Sequence, residues 1–135
     1  MDTDTLIEES AGMTIPEIFN REGEAGFRAR EQEIIAAISR ERSQVIATGG
    51  GAPLKQENRD ALRQNGFVVQ VERDLSALST EGRPLSRDID TLKRMQEQRA
   101  PIYRLARHAV ISNDTTIDAA ASAVLEEFYA ACTGH

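Results

Sequence analysis

The chain has 135 residues, a formal net charge of −6, 40% hydrophobic and 28% charged residues. That length predicts one domain with a sizeable core, and the acidic balance argues against nucleic acid or an anionic membrane as the main partner. No apolar run approaches the ~20 residues that cross a bilayer. The acidic opening MDTDTLIEES does not read as a secretory signal, and the single cysteine, Cys132, excludes an internal disulfide, so a cytoplasmic protein is expected.

Residues 5–20 read as short helical pieces, with Thr14 a cap and Pro16 tolerated in a first turn. From about Glu24 to Arg40, Phe27, Ile34, Ile35 and Ile38 share one helical stripe. Val45–Ala47 reads as a short buried strand that runs into Gly49-Gly50-Gly51. A helix over Leu54–Gln64 follows, ending at Asn65-Gly66, a left-handed cap pattern. Phe67–Val71 is nearly continuous in apolar residues, as in a strand covered on both faces.

Ser79–Gly82 is a turn or loop before Arg83-Pro84-Leu85, and a helix spans about Arg87 to Gln98. A separate turn or two runs from Pro101 to Ala106, and Ala109–Ile111 is the third strand. Thr115–Asp118 resembles a capping box. It opens a terminal helix whose Ile117, Ala121, Val124, Leu125 and Phe128 form a stripe read as core. Strands alternating with helices predict an α/β fold, a three-layer parallel sheet with helices on both faces. Ligands in such sheets sit at the carboxyl ends of the strands.

The glycine triplet occupies that end. One or two glycines suffice for a turn. A third beside a helix start exposes N–H groups and removes the β-carbon that would block an anion or polyol. Basic residues are almost all arginine, fourteen against Lys55 and Lys93. Arginine's planar fork suits carboxylate and phosphate, although genome composition produces the same bias.

Five stretches in order resemble the shikimate kinase family of P-loop kinases: Asp2-Thr3-Asp4, Glu22-Gly23-Glu24-x-x-Phe27-Arg28-x-x-Glu31, Ala47-Thr48-Gly49-Gly50-Gly51, Arg83-Pro84-Leu85 and Arg99-x-Pro101-x-Tyr103. The resemblance implies transfer of the ATP γ-phosphoryl group to the 3-hydroxyl of shikimate, with magnesium. It makes Asp4 the contact to the substrate hydroxyls and the candidate base, and puts Asp2 near the metal. Arg28 and Arg99 become the clamp on the substrate carboxylate, and Glu31 holds an arginine or a substrate hydroxyl. Gly49, Gly50 and Gly51 allow close backbone approach. Arg83 is the lid arginine over the transferring phosphoryl. Residues of about 5–45 correspond to the substrate-binding helices and about 76–88 to the lid.

Two departures shape the expectation. The family's G-x-x-x-x-G-K-[ST] phosphate cradle is not among these residues, and Ser76–Thr80 lacks the arginine that stacks on adenine. The chain therefore reads as a single truncated domain over 1–135, missing the first strand–loop–helix. It is expected to be inactive alone and not to hold ATP well. The alternatives are a non-catalytic shikimate-binding module or a degenerate remnant. The lost strand lies mid-sheet in the family order, which predicts marginal stability, self-association, an upstream fused segment, or direct meeting of the two strands beside the gap.

Overall fold

The computed structural model describes residues 1–73 and 86–133. Contacts divide the chain into two compact units, Met1–Gly66 and Phe67–His135. Helix α1 spans Thr3–Ala11 and is capped by Asp2, whose carboxylate accepts from the amides of Asp4 and Thr5 at 2.9 and 3.4 Å. Gly12, at φ 68°, ends it in the left-handed region. Helix α2, Ile15–Ile38, starts on Thr14 with Pro16 in its first turn. Glu8 ties the two together by accepting from the Ile15 amide at 2.9 Å.

Gly23 breaks α2 with φ 71° and ψ −178°. The expected helix from about Glu24 is thus the second arm of a bent element. Arg30 spans the break, donating to both carboxylate oxygens of Glu22 at 2.9 and 2.8 Å. Ile7, Ile18 and Phe27 form the core between α1 and α2, packed by Ala11, Met13, Ile15 and Ile34.

The expected strand at Val45–Ala47 contracts to one parallel bridge between Asp2 and Ala47. Thr3 N donates to Ala47 O at 2.9 Å and Ala47 N to Met1 O at 2.7 Å. A ladder grows only as far as its partner stays extended, and α1 begins at Thr3. Val45 is accordingly 86% exposed, not buried. A 3₁₀ turn, Ala52–Leu54, separates the glycines from α3, Gln56–Asn65, so the triplet does not abut that helix as the sequence suggested.

Gly66 is extended at φ −134°, which corrects the expected left-handed cap. Its glycine serves close approach instead: a β-carbon there would lie 2.6 Å from the Leu62 carbonyl oxygen.

In the second unit, β1 (Val69–Glu72) pairs in parallel with β2 (Ala109–Ser112), Val69 opposite Ala109 and Glu72 opposite Ser112. His108 opens this ladder, its Nδ1 accepting from Val68 N at 2.8 Å and its backbone N donating to Val68 O at 2.7 Å. The apolar run of β1 was read as covered on both faces, yet Val71 is 55% exposed. Helix α4 runs unbroken over Ser86–Ala106 with Pro101 inside it. Proline removes its own amide bond and weakens a helix locally, but the turns on either side carry it through.

Helix α5, Ile117–Thr133, begins where Thr116 Oγ1 accepts from Ala119 N at 3.0 Å. Its apolar stripe is not core. None of its described residues is buried, and Ile117 and Leu125 are 81% and 51% exposed. Periodicity identifies an apolar face and is silent on what covers it. The whole is an α/β fold, mostly helical with a small parallel sheet. The lid segment up to residue 85 lies outside the described residues.

Candidate functional site

Bridge pairing places the end of Ala47 beside the start of α1, so the residues that follow each strand-like segment emerge together. Asp4 stands in the first turn of α1, and Gly49 follows Ala47 by two residues. A β-carbon on Gly49 would sit 3.5 and 3.8 Å from the two Asp4 carboxylate oxygens and 3.9 Å from Glu31 Oε2. On Gly51 it would overlap the Arg28 guanidinium, at 2.6 Å from Cζ. The loop thus threads between carboxylates at one end and a cation at the other, and a side chain at Gly51 would require the Arg28 guanidinium to move.

The second arm of α2 supplies the charged groups. Arg28 and Glu31, one turn apart, pair through Nη1 and Oε1 at 3.0 Å. Glu24, one turn earlier, lies 3.6 Å from Arg28 Nε. The guanidinium also stands 5.2 Å over the Phe27 ring, and Phe27 packs on Phe19 at 4.9 Å. Glu31 is 1% exposed, and its Oε2 has no partner among the described residues. An unpaired buried carboxylate oxygen costs free energy, so Glu31 is held for something besides packing.

The Asp4 carboxyl is shifted above its ordinary value. Burial is the main cause, followed by the negative charges of Asp2 and Glu8; Arg28 offsets part of the rise. A carboxylate so placed is a better proton acceptor near neutrality than a free one.

The structure therefore brings Asp4, Arg28, Glu31, Gly49 and Gly51 to one place, with Gly50 between the last two. Asp2 adjoins them as the cap of α1, its Oδ1 spent on two backbone amides. Arg99 belongs to the second unit, half-buried on α4 two residues before Pro101. Arg83 lies outside the described residues. No group of three acidic, histidine or cysteine side chains that could hold a metal occurs among the described residues.

Sequence reasoning missed two participants. Glu8 follows Asp4 by four residues, a helical spacing that signals the like-charge pair. Glu24 precedes Arg28 by the same interval. Both were readable from spacing once the helices were granted.

Comparison with known proteins places the chain in a family. The family profile for shikimate kinase matches residues 1–129. A shikimate kinase of Symbiobacterium thermophilum is 43% identical over 124 residues, covering 84% of this chain and 71% of that protein. One from Synechococcus sp. (strain CC9605) is 40% identical over 136 residues, covering 93% and 67%. Among solved structures, the Acinetobacter baumannii shikimate kinase in complex with shikimate superposes with a TM-score of 0.81 at 31% identity, covering 98% of this chain and 77% of that one. The Aquifex aeolicus enzyme gives 0.84 at 27% identity, over 100% and 82%.

Proposed function

This chain belongs to the shikimate kinase family, and we propose that the cluster around Asp4, Arg28 and the glycine loop is its shikimate-recognition site. The observation that carries the reading is the close approach of the Gly51 backbone to the Arg28 guanidinium, which a β-carbon would displace from its present position. It leaves a guanidinium held in place by Glu31 and set beside bare backbone, an arrangement suited to a small polar ring with a carboxylate.

Charge decides how many arginines are needed. Arg28 is already paired with Glu31 and faces Glu24, with Asp4 nearby. That neighbourhood is not cationic enough to attract a carboxylate by itself. The family motif assigns a second arginine to the substrate carboxylate, and Arg99 is the residue that matches it. Asp4 then accepts the proton of the attacking hydroxyl, and Glu31 Oε2 accepts a hydrogen bond from a ring hydroxyl.

The family's reaction moves the γ-phosphoryl of ATP, with magnesium, to the 3-hydroxyl of shikimate. The residues here fit that donor poorly. They contain no G-x-x-x-x-G-K-[ST] run, and Asp2, the residue matched to magnesium, already spends an oxygen on capping. Magnesium keeps most of its waters and leans on phosphates rather than on a dedicated protein cage, so the matched motif offers it a single carboxylate, Asp2, with one oxygen already used in capping. The chain on its own is accordingly read as binding shikimate without phosphorylating it.

Isothermal calorimetry tests this. Shikimate should bind the chain, and Arg99→Ala should weaken the affinity by ~10-fold or more, the size of a lost charge-assisted bond. Unchanged affinity in Arg99→Ala removes the second arginine. Heat-silent wild-type protein removes the site. Measurable phosphorylation of shikimate by this chain with ATP and magnesium alone would overturn the division between recognition and transfer.

A further inference from the structure

Three consecutive carbonyls on the far side of the glycine loop are gripped by side chains of α3. Asn58 Nδ2 donates to Ala52 O at 2.9 Å, and Arg59 Nη1 donates to Pro53 O at 2.8 Å and to Leu54 O at 3.3 Å. Within the loop, Ala52 N donates to Gly49 O at 3.2 Å and Leu54 N to Gly51 O at 3.1 Å. Lys55, the next residue, donates to Gln32 of α2 at 3.0 Å. A segment with three glycines has little conformational preference of its own, so these side chains contribute to where it lies.

Asn58 is costly for a residue with a merely structural role. It is 1% exposed, and its Oδ1 finds no partner among the described residues. A buried amide with half its hydrogen-bonding capacity unused is worse for stability than an apolar side chain with both partners replaced. Its Nδ2 bond reaches the residue directly after Gly51. That placement matters because a β-carbon on Gly51 would overlap the Arg28 guanidinium, and one on Gly49 would lie within 4 Å of Asp4 and Glu31. A loop displacement the width of a methyl group would push Arg28 off Glu31 or open the gap to Asp4.

We infer that Asn58 and Arg59 are positioning residues for ligand recognition, fixing the Gly49–Gly51 backbone through the carbonyls of Ala52, Pro53 and Leu54. The inference rests on the shikimate reading of the site and adds residues outside the matched motifs. Neither side chain touches the ligand; each acts through the loop.

The test uses the full chain. Asn58→Leu removes the donor at similar volume, and Arg59→Met keeps the aliphatic stem of a half-buried side chain whose loss does not threaten the core. Shikimate affinity by calorimetry should fall ~10-fold in Asn58→Leu and ~3-fold in Arg59→Met, with Asn58→Gln recovering part of the loss. Amide resonances of Gly49, Gly50 and Gly51 should shift in ligand-free Arg59→Met while those of α1 stay in place, which a global loss of stability would not produce. Should Asn58→Leu fail to fold, Arg59→Met decides the matter. Affinities within twofold of wild type, or unmoved glycine resonances, overturn the proposal. A wild-type chain that does not bind shikimate instead refutes the site itself, and the glycine resonances still report on the clamp.

Discussion

Asp4 sits among Asp2, Glu8 and Glu31 with one cation, Arg28, to balance them. Its carboxyl titrates above the ordinary range because burial and the charges of Asp2 and Glu8 disfavour the anion. The sign for stability follows from linkage. The folded chain holds this proton more tightly than the unfolded chain does, so the contribution of Asp4 is favourable at low pH and is lost as pH rises through its folded value. Asp4→Asn is therefore expected to melt higher than wild type at pH 7, with the difference vanishing toward pH 3, as thermal unfolding across that range reports. Glu8→Gln keeps the acceptor for the Ile15 amide and removes a charge. It should lower the Asp4 midpoint followed by carboxyl-carbon NMR. An unmoved midpoint would exclude Glu8 as a contributor.

At the scale of elements, the bend in α2 governs how Arg28 and Glu31 are presented. Gly23 has φ 71°, and a β-carbon built there meets nothing within 4 Å. The cost of replacing it is thus backbone strain alone. With ψ −178° Gly23 occupies a region that is essentially glycine-only, so Gly23→Ala should destabilise the chain by about 1–3 kcal/mol, a drop of about 4 °C or more in melting temperature for a domain of this size. Differential scanning calorimetry reads it directly, and an unchanged or higher melting point would mean that the break is not populated. Gly26 works beside it, since a β-carbon there would collide with Glu22 across the bend.

On the scale of the whole molecule, burial is uneven. Most fully buried residues, among them Ile7, Ile18, Ile35, Glu31 and Asn58, belong to Met1–Gly66. In Phe67–His135 the buried described residues are Ala106 and Ile111, while Val71, Leu105, Ile117 and Tyr129 stand more than half exposed. Apolar burial is the main source of protection against opening. Native-state hydrogen exchange should accordingly find the amides of α2 around Ile35 slower than those of β1 and β2 by at least tenfold. Equal protection in the two units would contradict this. The exposed apolar residues of the second unit also make association at high concentration an expected behaviour of the isolated chain.

Local chemistry wrote much of this protein into its sequence. Thr14 with Pro16, the stripe through Phe27 and Ile35, the extended runs at residues 67–71 and 109–111, and the spacing of Arg28 and Glu31 all follow from rules acting within a few residues. The family is legible because its motifs keep their order. What the sequence could not tell was where partners end. The strand at Val45–Ala47 shrank to a bridge because α1 starts beside it, the stripe of α5 is only partly covered, with Phe128 against Phe67 and Ile117 exposed, and Gly66 serves close approach instead of handedness. Likewise Asn58, unremarkable in a polar helix, acquires its role from the carbonyl of Ala52, six residues back across a turn. Periodicity and capping are properties of a segment, whereas burial, ladder length and the grip on a loop depend on what the rest of the chain brings alongside, and only the folded arrangement decides that.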